Sequence, residues 1–370
     1  MKNRGIVAAV LLAMAAATPH MATAAPPQKY GPTLTTVKSF DDFALVGLGV
    51  SHEGRIFASA PAATSGNKLI EVNPATGAVT PYPDQGWNQQ GGDTAHEWSV
   101  PQAMWVDTAD NLWVLDSGRA VLAGGQPIPP KLVEFDLKTN KVIRSYGFEG
   151  VVAPTDSLND VRIDLTRGYA YISNIGNKGS LVVLNLATGA SRQVLVGDRS
   201  AYADPRQHLM IGNQPALDKN GKVVAIHADG IELSPDGAWV WYRPLTDHNY
   251  WRISTDALVD SSLTPAALSK KVQFLGTAEE TGGLIMDQHG TLYGGDLEHG
   301  TVVALTLNPK TGKLKSKLFL RDPGNLSWAD GFAISGGYMY IADSHLWEIV
   351  FKNHLPRSGP WKIFKVKLPD

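Results

Sequence analysis

The 370-residue chain balances 33 Lys and Arg against 35 Asp and Glu and contains no cysteine. A net charge of −2 lacks the cationic excess with which proteins grip phosphate backbones, so bulk charge excludes a nucleic-acid partner. The missing thiols exclude disulfides, iron–sulfur clusters, thiolate zinc sites and a cysteine nucleophile, which leaves oxygen or imidazole as the donors for any metal.

The chain opens on a stretch that reads as an address. Lys2 and Arg4 precede an apolar run, Ile6 to Ala17, that is shorter than the ~20 residues a bilayer span needs. Ala22-Thr23-Ala24 follows as a small-residue cleavage site. The expectation is a signal peptide over residues 1–24 and a secreted product, periplasmic or extracellular, with no membrane span. Thr33 to Phe40 then reads as a strand.

From there one phrase returns six times: an apolar stretch, a polar turn, and an alternating strand. The copies are GVSHEGRIFAS, MWVDTADNLWVLD, VRIDLTRGYAYIS, IELSPDGAWVWYR, LIMDQHGTLYGGD and FAISGGYMYIAD. Their turns are centred on Gly54, Asn111, Gly168, Gly237, Gly290 and Gly337. Most copies are followed by a second hairpin phrase, such as KLIEVNPATGAVTPY or SLVVLNLATGASRQVL. Two hairpins per repeat make a four-stranded antiparallel meander, and six such sheets bury their faces by packing radially. The fold expected is therefore all-β, a six-bladed β-propeller around a central channel, formed as one domain over residues 25–370. Helical signal is confined to Thr255–Leu258 and Pro265–Lys271. Pro360 to Leu368 alternates as a strand, and is expected to share a blade with Thr33–Phe40 and so close the ring.

In such a ring the residues just before each repeated phrase meet at one channel mouth. Four blades offer oxygen-bearing groups there: Gln102, Asn159 with Asp160, Asp229, and Asp330. Oxygen donors converging from separate blades suit a hard cation, although an Asp before Gly also serves simply to cap a turn. His227 stands two residues before Asp229 and is a candidate general base. Trp98 and Trp328 are candidate aromatic walls for a ligand. The Gly-rich segment from Gly86 to Val100 reads as a loop or a lid. No phosphate loop, G-x-S-x-G elbow or H-E-x-x-H pair is present.

The segments VPQAMWVDTADNLWVLDSG (100–118), LNDVRIDLTRGYAYISN (158–174), GIELSPDGAWVWYRPLTDHNYWRISTDAL (230–258) and LSWADGFAISGGYMYIADS (326–344) resemble the Yellow/major royal jelly protein family. The resemblance implies a six-bladed propeller, secretion, and a small-molecule pocket at one mouth, in a family whose members include amine-binding and dopachrome-converting proteins. A more distant similarity runs to the gluconolactonase/senescence-marker lactonases, which hold one divalent cation with a Glu, an Asn and an Asp. Asn159 and Asp160 match the substrate-binding pair of those enzymes, and Asp229 aligns with their metal Asn. Their metal Glu and Asp fall at Gly47 and Gly282, so two of three ligands are absent. The expected cofactor is at most one divalent cation, Ca²⁺ before others, held by Asn159, Asp229 and Asp330. The expected partner is a small polar or aromatic molecule. Two outcomes stay open: turnover, as a tautomerase or lactonase with Asp229 or His227 moving a proton, and binding alone.

Overall fold

The computed structural model describes residues 28–62, 66–89, 91, 93–118, 128–352 and 359–369. The signal peptide expected over residues 1–24 lies outside them. Six four-stranded antiparallel sheets, five of them in simple meander order, ring a central channel as the blades of a propeller, and Met210–Ile211 pairs with Gln214–Pro215 in a separate two-stranded sheet. The innermost strands, in blade order, are Leu48–Val50, Pro101–Val106, Leu158–Asp164, Ala228–Leu233, Thr281–Met286 and Ala329–Ser335.

The ring closes between the strands expected at Thr33–Phe40 and Pro360–Leu368. Thr35–Phe40 pairs antiparallel with Trp361–Lys367, so the sixth blade takes its outermost strand from the start of the chain and its other three from the end. Closure in this manner makes separation of the first and last blades require breaking a full strand ladder.

The apolar core lies between blades. Trp113 and Leu115 of blade 2 pack on Val161 and Ile172 of blade 3, and Phe40, Ala342 and Ile363 of blade 6 pack on Leu48 and Ile56 of blade 1. Similar clusters fill the other gaps, so each sheet buries both faces against its neighbours. The short helices Thr255–Val259 and Pro265–Ser269 sit in blade 4, each capped by the side chain of the preceding residue, Ser254 or Thr264. One turn slips by a residue from its sequence reading. In blade 2 the left-handed position is Asp110 (φ 63°), and Asn111 already begins the strand. Asp tolerates that conformation, and its carboxylate accepts a hydrogen bond from the His52 backbone N–H of the neighbouring blade at 2.7 Å.

No helix among the described residues is long and apolar enough to cross a membrane.

Candidate functional site

Each inner strand but the first carries a break in register at its start. In blade 3 Leu158 pairs with Asn174 and the next pair is Val161 with Ile172, so Asn159 and Asp160 oppose the single residue Ser173. The same two-against-one bulge frees Asp229 and Gly230, Gly282 and Gly283, and Asp330 and Gly331, while in blade 2 the extra residue is Gln102. A bulge releases its residues from the ladder and re-aims them. Here it turns the side chains that sequence singled out toward the channel.

The strand starts are themselves fixed. Asp116, at the end of the second strand of blade 2, accepts from the backbone N–H groups of Ser99 and Val100 at 2.8 Å. In blade 6 Asp343 likewise accepts from the Ser327 and Trp328 N–H groups, and in blade 3 the Asn174 side chain accepts from the Ser157 N–H. The residues opposite the bulges complete the frame. Ser173 Oγ donates to the Asp229 carbonyl at 2.6 Å and accepts from the Asp160 N–H at 3.1 Å. Gly295 is required where it stands, because a Cβ there would run into the Ala329 carbonyl.

Gln102, Asn159, Asp160, Asp229 and Asp330 all line one cavity of about 50 Å³, together with Arg162. That volume admits a few waters or the polar edge of a ligand, whose remainder would extend outside it. Gln102 Nε2 donates to Asn159 Oδ1 at 3.2 Å, which leaves the Asn159 amide N–H groups to donate elsewhere. Asp160 is tied to Arg162 Nη1 at 2.8 Å. Asp330 Oδ1 accepts from the Gly283 N–H at 3.3 Å.

Burial dominates the titration of these acids. It pushes Asp330 up to about 7, with the Asp160 charge adding and the Gly283 hydrogen bond opposing. Asp229 is raised well above the ordinary carboxylate range by burial and then by the charges of Asp330 and Asp160, against a smaller pull from Arg243. Asp160 is raised by burial, opposed by Arg162. Asp229 and Asp330 are thus both shifted toward the protonated form, with Asp330 near neutrality, the range in which a carboxyl can give and take protons.

Three other candidates lie apart from this cavity. His227 is buried beside the mouth, where Nδ1 accepts from the Ala203 N–H at 3.2 Å and Tyr202 stacks on the ring at 4.2 Å. Burial lowers its pKa, opposed by a hydrogen bond to the Asn177 backbone and by the charge of Asp247. Trp98 is fully buried between blades 1 and 2 against Trp87, with Nε1 donating to the Tyr82 carbonyl at 3.0 Å. The loop it belongs to is pinned by Asn88, whose side chain accepts from the backbone N–H groups of Lys68 and Leu69. Trp328 lines an apolar slot of about 230 Å³ on the same face as the cavity, with Trp347 and Leu297. Leu297 also stands 3.4 Å from where a Cβ of Gly282 would lie, so the slot borders the carboxylate cavity.

Sequence reasoning passed over Arg162, Ser173 and Arg243. Arg162 follows Asp160 by two positions on one strand, which puts both on the channel face, and that alternation was the available signal. Arg243 faces the bulge of blade 4, and its guanidinium donates to the carbonyls of Thr281 and Asp247. The donors at the mouth are oxygen ligands of the kind Ca²⁺ takes, but the two remaining positions of the lactonase set are glycines, and a Cβ at Gly282 would lie 2.5 Å from Asp330 Oδ1. Among the described residues no three His, Asp or Glu side chains are grouped so as to hold a metal ion.

A closed six-bladed propeller with acids and amides gathered by bulges at one mouth defines the class of the protein. A family model described as major royal jelly protein matches residues 100–370, and the chain belongs to that family. Among curated relatives it is similar to a dopaminechrome tautomerase of Drosophila melanogaster, 28% identical over 175 residues that cover 43% of this chain and 37% of that protein. It is also similar to major royal jelly protein 3 of Apis mellifera, 28% identical over 202 residues, 51% of this chain and 34% of that one. The matches thus span little more than a third of these relatives' length. Among solved structures a gluconolactonase of Xanthomonas campestris shares the fold, with a TM-score of 0.52 and 13% identity over 91% of this chain and 89% of that one.

Proposed function

We propose that the protein is exported, binds a small polar or aromatic molecule at the mouth formed by Gln102, Asn159, Asp229 and Asp330, and tautomerises it. The observation that carries this reading is the pair of carboxyls brought from two blades to one cavity, both raised by desolvation, Asp330 to about 7. In the scheme Asp330, as carboxylate, takes a proton from a ligand carbon next to a carbonyl or iminoquinone group. Asp229 gives its proton to the oxygen or nitrogen that receives the electron pair. One C–H bond breaks, one O–H or N–H bond forms, and the two acids exchange protonation states and reset through water. The Asn159 amide donates to the developing charge, and the slot at Trp328 takes the ligand's apolar body. The likeness to a dopaminechrome tautomerase supports a quinone-type substrate. His227, engaged by the Ala203 N–H and stacked on Tyr202 outside the cavity lining, supports the wall of the mouth in this scheme and does not move the proton.

A second reading, a Ca²⁺-dependent lactone hydrolase, rests on the mutual repulsion of Asp229, Asp330 and Asp160, which a divalent cation held by Asn159, Asp229 and Asp330 would relieve. That ion would supply Lewis-acid polarisation of a lactone carbonyl. Assays of the wild type, Asp229→Asn and Asp330→Asn on dopaminechrome and on gluconolactone, with and without EDTA, separate the readings. Metal-independent dopaminechrome turnover lost in both variants supports the tautomerase. EDTA-sensitive lactone hydrolysis supports the hydrolase. No turnover of either, with ligand-dependent thermal shifts, refutes both in favour of a binding protein.

A further inference from the structure

The carboxylate site occupies only one end of the channel. At the other end, where the inner strands finish, lies a cavity of about 320 Å³, which falls in the size range of small-molecule sites. Leu48, Met104 and Phe332 line both cavities, and Arg162 reaches from the first toward residues of the second. It lines the first cavity and donates to Asp160 there, while its Nε donates to Glu232 at 3.1 Å and its Nη2 to the Leu284 carbonyl at 2.6 Å. Its guanidinium lies 4.5 Å from the centre of the Trp105 ring. Both Glu232 and Trp105 line the second cavity.

The walls there are largely apolar, with Met104, Leu233, Met286, Phe332 and Ile334 contributed by four blades. Two of its three acids are already engaged. Asp107 accepts from Trp113 Nε1 at 2.8 Å and from turn N–H groups, and Asp287 accepts from the His289 and Thr291 N–H groups and from the Tyr293 hydroxyl. Glu232 accepts one bond at each oxygen, from the Leu233 N–H at 2.8 Å and from Arg162, and so keeps a lone pair on each.

We propose that this opposite mouth is a second binding site, for a small uncharged apolar molecule with one hydroxyl, of the phenol or simple alcohol class, its hydroxyl at Glu232 and its body against Trp105, Met104 and Phe332. Apolar walls disfavour a permanent charge, and Glu232 with two further acids at the rim disfavours an anion. Burial pushes Glu232 up to about 7, so the ligand's head meets both a carboxylate and a carboxylic acid. A hydroxyl suits both, donating to the first and accepting from the second. None of this depends on proton transfer at the first mouth.

Calorimetric titration of the full chain at pH 7 with phenol, toluene, benzoate and benzylammonium tests the site. Phenol binds at one saturable site, roughly fivefold tighter than toluene, as one net hydrogen bond implies, and tighter than either charged probe. Glu232→Gln, which still donates and accepts, keeps the preference for phenol over toluene, and Glu232→Leu brings the ratio close to one. Met286→Trp, which fills the cavity, abolishes phenol binding even if Glu232→Leu fails to fold. Asp330→Asn leaves phenol affinity within about twofold, which separates this site from the first. Absence of saturable phenol binding, tighter binding of benzoate or benzylammonium, or phenol affinity indifferent to Met286→Trp overturns the proposal.

Discussion

Replacing Asp330 by Asn separates the ionisation of the site from its shape. The amide is nearly isosteric, and its carbonyl can still accept the Gly283 N–H that Asp330 accepts at 3.3 Å. The change removes a charge that the fold holds at a cost, since burial raises this carboxyl from 3.8 to about 7. A rise of that size corresponds to at most ~4 kcal/mol once the group is fully ionised, and water reaching the cavity reduces it to about 2 kcal/mol. The sign follows from the unfolded chain, which ionises Asp330 near its ordinary value. Stability from this group is therefore complete below about pH 4 and is lost as pH rises through 7. Wild type and Asp330→Asn should melt together at pH 4, and the variant should melt about 3 °C higher at pH 8 for a chain of this length. Scanning calorimetry between those limits reads the effect. Glu232 and Glu280, raised by burial to about 7 and about 8, tilt both curves in the same direction, so the difference between the proteins is the quantity to follow. A difference that is equal at the two pH values, or a variant that melts lower at pH 8, would refute the reasoning.

Three further expectations follow from packing and charge. Arg162→Met leaves Glu232 and Asp160 buried without their cation, and urea denaturation should show a loss of about 3–5 kcal/mol that is larger at pH 8 than at pH 5. Phe40→Ala opens a gap in the closing strand, where the ring is 7% exposed and 5.0 Å from that of Phe43, at about 3–4 kcal/mol, and removal of residues 28–40 should lower the melting temperature further still. Gly295→Ala forces a methyl against the Ala329 carbonyl, one residue from Asp330, and should cost about 1–3 kcal/mol in stability while depressing any turnover.

The propeller was legible because its signals are local and repeat: an alternating strand, a tight turn, an alternating strand, six times over. Closure was legible because Thr33–Phe40 and Pro360–Leu368 each read as a strand and both lie outside the six repeated phrases. The candidate site was legible by position, as each acid or amide precedes a repeated phrase. What turns those residues inward, the bulge opposite Ser173, Arg243, Gly295 or Ala342, is a property of register between two strands and leaves no mark in either alone. Long-range pairing also decided which aromatics matter. Trp98 and Trp328 look alike in sequence, yet one is clamped between blades 1 and 2 by Trp87 and the Tyr82 carbonyl while the other lines a slot. Arg162 was passed over because, beyond its alternation with Asp160, a single cation inside a strand carries no motif, and its importance comes from Glu232, seventy residues away.

The central claim is that Asp229 and Asp330 move a proton on a bound small molecule. The most direct test is the pH dependence of dopaminechrome conversion by the wild type and by Asp330→Asn. The wild-type rate should be maximal near neutrality, with a limb close to pH 7, and the variant should lose both that limb and about 10²–10⁴ in rate. A limb that persists in the variant at an unchanged rate would contradict it.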